Sequence, residues 1–452
     1  MSTMQLTKGN IPSQLLALAL PMLAGNILQQ LYNTIDAVIV GRFVGDAAFA
    51  AVGVSGSVMN LFLFLISGSC SGAGILLSQL FGANDWDTFR RNFFLSALFG
   101  TALSLLLTIC GLLTLPGLLT LLQTPANILP HAIEYLQVIY LGFPAAFAFQ
   151  MSCAVLRSVG NTRAALLFLM LSMGANLALD VLFVVTLEGG TAGAAAATVL
   201  AQILAALLCI LYLISHFPQL LFRRKDIVMD LPLLRRTAHF SLVTALQMYS
   251  LYIGKLLVQG SVNSLGSHAI SAFTAATRIE GFANSFGDSG ATAMSVFIGQ
   301  NTGAQNHSRI RQGFYTGQLL LLGFGLIMSL LMFLFASPLL TLVLPEESSL
   351  SLSPAVGYLR VIAVFYAFNF LGSGLSGYFH GRGKVNLPVM GTTGHITIRV
   401  ILSALLASHM GLPCVALASG IGWVWVNLFW YFFARKDLCH LAVPSEPGKT
   451  IP

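Results

Sequence analysis

The sequence predicts an all-α integral membrane protein with twelve transmembrane helices in two pseudo-symmetric six-helix lobes. Three observations predict it. The chain is 56% hydrophobic and only 8% charged, with a mean hydropathy of +0.83, far from the make-up of a soluble globular domain. Its apolar runs are near twenty residues long without period-two alternation, which suits helices crossing roughly 30 Å of hydrocarbon and not barrel strands. The runs also fall into two sets of six about a long basic connection, and the two sets share motifs.

The first span covers about residues 13 to 40. The opening MSTMQLTKGNIPSQ holds one lysine and no small-residue cleavage site, so this run is read as retained and not as a removed signal. Runs of about 47 to 80, 93 to 115, 132 to 156, 164 to 187 and 192 to 215 complete an N-lobe over 1–215. The connection HFPQLLFRRKDIVMDLPLLRR, His216 to Arg236, is assigned to a cytoplasmic interlobe linker over 216–237. Runs of about 238 to 262, 268 to 300, 314 to 343, 355 to 380, 388 to 409 and 412 to 434 form a C-lobe over 238–436, followed by a cytoplasmic tail over 437–452.

Basic residues set the orientation. Seventeen of the 22 Lys and Arg fall on one side, among them Arg90, Arg91, Arg157, Arg163, Arg309, Arg311, Arg382 and Lys384, whereas only Arg42 lies in a loop on the other. Positive loops stay cytoplasmic, so both termini are expected there, in a multi-pass protein of the plasma or inner membrane. The net charge of +7 therefore reports topology and not a nucleic-acid partner.

Other classes find no support. The six cysteines lack paired spacing, so no disulfide or metal framework follows. There is no H-E-x-x-H among the histidines, and GYFHGRGKV near Gly383 lacks the leading glycine and final hydroxyl residue of a phosphate loop. No enzyme and no cofactor are expected; energy must come from an ion gradient or a partner chain.

The repeat is explicit. SQLFGANDWDTFRRNFF at Ser78 matches GQNTGAQNHSRIRQGF at Gly299, pairing Gln79 with Gln300, Gly82 with Gly303 and Arg90 with Arg311 at an offset of 221. YLQVI at Tyr135 matches YLRVI at Tyr358 at an offset of 223. Six spans is an even number, so the halves are parallel repeats about an axis along the membrane normal, an arrangement that puts a substrate path between them.

Ionisable groups at membrane depth mark function by default. In LYNTIDAVIVGRFVG, Asp36 precedes Arg42 by six residues; Asp180 precedes Glu188 by eight, and Thr198 follows Ala192 by six. At 1.5 Å per residue all three lie roughly 9 to 12 Å below the outer surface. Asn176 stands one helical turn before Asp180 and shares its face. Two carboxylates, an amide and a hydroxyl are hard oxygen ligands suited to Na⁺, and two adjacent carboxylates also hold a proton. Each polar group taken alone also fits a backbone-satisfying or cavity-lining role. Pro21 allows the first span to bend.

The site is not duplicated, since the repeat partner of Asp36 is Leu257. The second half instead carries Lys255, Arg278, Glu280, Asp288 and Arg399, with Tyr249, Tyr252, Phe282, Phe286, Met294 and Tyr366 around them. Mutual neutralisation is the ordinary expectation for such charges; a substrate cavity is the functional one.

PMLAGNILQQLYNTIDAVIVGRFVG, the paired glutamine and Gly-Ala motifs, LRSVGNTRAA and the Asn176 with Asp180 pair together resemble the multidrug and toxic compound extrusion (MATE) family, close to its DinF-like branch, over essentially the whole chain. The resemblance implies antiport of lipophilic, cationic organic compounds against Na⁺ or H⁺ by alternating access. It places the cation site at Asp36, Asn176, Asp180 and Thr198 and a bending proline at Pro21. A sister branch carries carboxylates in spans seven and ten; here span seven has Lys255 and span ten none. The implied partners are a small-molecule substrate and the lipid bilayer, with the chain a monomer. Two other readings stand beside it: a lipid-linked precursor or organic-anion exporter of the same superfamily, which Lys255, Arg278 and Arg399 would suit, and a non-transporting scaffold or receptor.

Overall fold

The computed structural model describes residues 4–344 and 349–442, and within these not the side chains of 33–38, 46, 349 and 442. Among the described residues the chain is helical and without strands. In order come α1 (Ile11–Phe43), α2 (Asp46–Gly82), α3 (Trp86–Leu121), α4 (Leu129–Leu141), α5 (Phe143–Ser158), α6 (Thr162–Asp180), α7 (Gly190–His216), α8 (Leu231–Asn263), α9 (Ser267–Gly303), α10 (His307–Leu334), α11 (Ala336–Thr341), α12 (Ser349–Gly381), α13 (Asn386–Met410) and α14 (Leu412–Ala442).

Ten of these are long and apolar enough to cross a membrane, and α4 with α5 makes an eleventh span bent by 49°. The twelfth is α9, 37 residues long but carrying Arg278, Glu280 and Asp288. The expected single span over 132 to 156 is thus two helices, and the bend has a local cause. Pro144, at the start of α5, has no N–H to give the Tyr140 carbonyl one turn earlier. Thr108 Oγ1 of α3 donates to that carbonyl instead, at 2.8 Å.

The chain forms two compact units. The first holds Met4, Leu20–Phe81 and Asp85–Tyr252; the second holds Gln5–Ala19, Gly82–Asn84 and the described residues from Ile253 on. These are not simple halves of the sequence: α1 passes from second to first at Leu20, beside Pro21, and α8 from first to second after Tyr252.

In the first unit α7 packs on α4, α5 and α6, and α3 on α4 and α5, around an aromatic cluster of Phe62, Tyr140 and Phe143. The start of α8 belongs here because α2 has no side chains in its path. A Cβ on Gly72 would lie 2.3 Å from the Phe240 carbonyl oxygen, and one on Gly68 2.4 Å from Ala245 Cα. The helix also begins at Leu231, earlier than the expected 238, because Asp230 Oδ1 accepts the Leu233 N–H at 3.1 Å and caps its first turn. The linker ahead of it is pinned by Arg90, whose Nε donates to Asp226 Oδ2 at 3.0 Å and whose other arm reaches the Gln219 carbonyl. Burial opposes the charge on Asp226, but the Arg223 N–H, Arg90 and Lys225 outweigh it and hold the carboxyl below the usual carboxylate range.

In the second unit α12 packs on α9, α10 and α14, with Tyr358, Tyr366, Phe370 and Tyr378 fully buried along it. The segment before α1 is gripped by Arg309, which donates to the carbonyls of Leu6 at 2.7 Å and Gly9 at 2.9 Å and to Gln14 Oε1 at 2.6 Å. The repeated glutamines do parallel work, each within its own unit: Gln300 Oε1 accepts the Leu6 N–H at 3.0 Å, and Gln79 Oε1 accepts from Arg236 at 3.4 Å. Residues 437–442, expected as tail, continue α14 because Asp437 is buried against Tyr378, Arg382 and Lys384; residues 443–452 lie outside the described residues.

The glycine of the repeat motif has a steric reason. A Cβ on Gly82 would lie 1.9 Å from the Gln300 carbonyl oxygen, a backbone atom that cannot turn aside. Gly82→Ala is therefore expected to destabilise the protein by about 1–3 kcal/mol, read as a lower melting temperature in detergent. A melting temperature equal to wild type would mean that the two helix ends are free to separate.

Candidate functional site

In the first unit, α1, α6 and α7 bring polar groups together. Tyr32 Oη of α1 donates to Asn176 Oδ1 of α6. Asn176 Nδ2 donates to Thr198 Oγ1 of α7 at 3.3 Å, and Thr198 Oγ1 in turn donates to the Ala194 carbonyl at 3.2 Å. Asn176 and Asp180 are 3% and 1% exposed, so whatever charge they carry or meet is held away from bulk solvent. Asp36 lies in α1 one turn after Tyr32; its side chain falls outside the described residues.

Asp180 ends the regular part of α6, and the chain continues as a π-helical segment, Val181–Thr186. Its wider turn is visible in the bond from the Leu187 N–H to the Leu182 carbonyl at 2.9 Å. Such segments interrupt the regular ladder of backbone bonds and recur at functional positions. The run VLFVVT carries no sequence signal for it.

The second half's expected cavity residues occupy several settings within their own units. Tyr249 and Tyr252 belong to the first unit, where Tyr252 Oη donates to the Ser57 carbonyl at 2.9 Å. Met294 is interior packing against Gly317, and Phe286 packs on the core beside Phe324. Lys255, Arg278, Phe282 and Asp288 lie on exposed faces of their helices.

In the second unit Glu280, Tyr366 and Arg399 come together, joined by groups the sequence reading missed. Tyr366 Oη donates to Asn284 Oδ1 at 3.2 Å, and Asn369 Nδ2 donates to the same oxygen at 2.8 Å. Glu280 is buried; besides desolvation, the groups acting on it are Arg399, Tyr358, Lys255 and Tyr366. Glu280 Oε1, Tyr358 Oη and Arg399 Nε lie in electrostatic reach of one another but outside direct hydrogen-bond geometry among the described residues. Trp423 closes one side, edge-on to Tyr366 and stacked on His395. Three of the missed residues had a signal: Tyr32, Asn284 and His395 each stand one helical turn from Asp36, Glu280 and Arg399.

A family model described as MatE matches residues 21–182 and 243–405, one block in each half of the chain. The chain belongs to the MatE family. It is a multi-pass membrane transporter and not an enzyme. Over 442 residues it is 26% identical to a Bacillus subtilis protein named probable multidrug resistance protein YpnP, covering 96% of this chain and 97% of that one. A second B. subtilis relative, named probable multidrug resistance protein YoeA, is 27% identical over 340 residues, 73% of each chain. Among solved structures, one described as the outward-facing conformation of a multidrug resistance MATE family transporter of the MOP superfamily matches with a TM-score of 0.91 at 22% identity, covering 98% of this chain and all of that one. That likeness bears out the expected fold class.

Proposed function

We propose that this protein exports lipophilic, cationic small organic compounds across the cell membrane in exchange for Na⁺ or H⁺, by alternating access. The observation that carries the reading is the meeting of three helices at Tyr32, Asn176 and Thr198, one turn from the buried Asp180. In this reading Asp36, Asn176, Asp180 and Thr198 hold the cation. The donor set supports it: carboxylate, amide and hydroxyl oxygens are hard ligands for a small cation, and a carboxylate pair also keeps a proton. The relatives named as multidrug resistance proteins support the substrate class.

Coupling needs the two ligands to prefer different states, since a ligand with equal affinity for both shifts nothing. A cation entering from outside neutralises Asp36 and Asp180 and favours a bend of α1 at Pro21, where the missing N–H removes one helix bond. Substrate leaves outward in that state. Loss of the cation to the cytoplasm restores the state that loads substrate.

The test is efflux of a fluorescent lipophilic cation from proteoliposomes under an imposed Na⁺ or H⁺ gradient. One of the two gradients is expected to drive transport in wild type and to fail in Asp36→Asn, which inserts and folds as wild type does. Transport that persists in that variant removes Asp36 from the coupling site. No transport under either gradient would move the substrate to an organic anion or a lipid-linked precursor.

A further inference from the structure

The repeat gives the cation site of the first unit a definite counterpart in the second. The offset of 223 that joins Tyr135 to Tyr358 carries into the next helices. Both tyrosines are buried, and Gly160 and Gly383 take left-handed backbone, at φ 80° and φ 75°, just before α6 and α13. A conformation that glycine adopts without strain, placed identically in each half, fixes the register of the two helices. On that register Asn176 corresponds to Arg399, Asp180 to Ser403 and Ser172 to His395.

The exchange inverts the charge. An amide becomes a guanidinium, and the carboxylate one turn later becomes a hydroxyl; α13 carries no Asp or Glu at all. The balancing negative charge comes from α9, where Glu280 is buried within electrostatic reach of Arg399 and Lys255. A buried carboxylate needs a positive partner. In the first unit an exchangeable cation is the proposed partner; here the chain brings its own. A guanidinium stays protonated at any physiological pH and is held by its backbone, so it neither leaves nor titrates.

We infer that Arg399 is a tethered cation, standing in the second unit at the place a coupling ion takes in the first, so that a single coupling-ion site serves each transport cycle. The inference rests on the reading of Asp180 and its neighbours as the cation site. It assigns Arg399 and Glu280 a role in setting ion stoichiometry. Ser403 Oγ and Arg399 Nε, both buried without a hydrogen-bond partner among the described residues, mark where the missing amide and carboxylate would stand.

The experiment counts exchangeable cations on the purified full-length protein in nanodiscs, with radioactive sodium by scintillation proximity and bound protons by an indicator dye. Wild type is expected to hold about one, and Asp180→Asn none. Arg399→Asn combined with Ser403→Asp rebuilds an amide and a carboxylate one turn apart and is expected to raise the count to about two. The added cation should survive Asp180→Asn. Arg399→Lys keeps the charge and the wild-type count.

A wild-type count of about two, with one surviving Asp180→Asn, overturns the inference. So does an unchanged count in a monodisperse Arg399→Asn/Ser403→Asp protein. If that double variant does not fold, the counts for wild type, Asp180→Asn and Arg399→Lys decide alone. Should a lone cation survive Asp180→Asn, Glu280→Gln separates the failures. Its loss there places it in the second unit and refutes the tethered cation; its survival refutes only the first-unit reading.

Discussion

Replacing Asp180 by Asn is expected to abolish gradient-driven efflux while leaving the protein folded. The substitution keeps the side-chain volume and removes only the charge, at a position 1% exposed where no solvent compensates for it. Losing one member of a buried charge pair typically costs about 3–5 kcal/mol, which corresponds to a fall of roughly 100- to 1,000-fold or more in cation affinity. Thr198→Ala should be much milder. Its hydroxyl receives a long neutral hydrogen bond, 3.3 Å from Asn176, and a bond of that kind contributes about 0.5–1.5 kcal/mol, about tenfold. The expected order is therefore Asp180→Asn, then Asn176→Ala, then Thr198→Ala, measured as the cation concentration giving half-maximal efflux from proteoliposomes. Wild-type coupling in Asp180→Asn, or a Thr198 effect larger than that of Asp180, would show that the cation binds elsewhere.

The part of this site that sequence could reach is set by helix geometry. Asn176 and Asp180 share a face because they are four apart, and Thr198 lies at their depth by counting from its helix end; the structure then joins Asn176 to Thr198 directly. Tyr32 was equally readable, one turn before Asp36, but a tyrosine in an apolar helix has many ordinary uses and depth alone does not single it out. The π-helical segment after Asp180 was not readable at all, since the run VLFVVT carries no local signal for it and its packing on α7 is visible only in the structure.

The fold was legible where it depends on hydropathy and less so where it depends on single polar contacts. Length and apolarity predicted all twelve spans, α9 among them in spite of its charges; in that helix Glu280 is buried and Arg278 is exposed. The bend at Gly142 was written in Gly142 and Pro144, yet a proline in a long apolar run reads as a tolerated kink until the helix that satisfies the freed carbonyl is known. The membership of Gln5–Ala19 in the second unit was beyond reach, because it depends on Arg309 gripping backbone carbonyls far away in sequence. The second half's aromatic residues were grouped by sequence proximity, and α8 divides between the units after Tyr252, so Tyr249 and Tyr252 belong to the first.

Asp437→Ala is expected to be the most destabilising single substitution away from the site. One buried carboxylate there accepts four hydrogen bonds: from Tyr378 Oη at 2.6 Å, from Arg382 Nε at 2.8 Å and Nη2 at 3.2 Å, and from Lys384 Nζ at 2.8 Å. Through it α14 fixes both the end of α12 and the turn into α13. Removing the carboxylate strands a fully buried phenol and a guanidinium whose side chain is only 15% exposed. The cost of leaving such a charge unpaired is about 3–5 kcal/mol. Lys384 is different: its side chain is 45% exposed, so Lys384→Ala should cost no more than about 1 kcal/mol. The check is thermal unfolding in detergent of the two variants beside wild type. A large drop for Asp437→Ala with little change for Lys384→Ala is the expected pattern, because what stabilises the junction is the pairing of the groups that water cannot reach. Equal drops would mean that the exposed lysine carries the contact, and no drop in either would mean that α14 is held by its apolar faces alone.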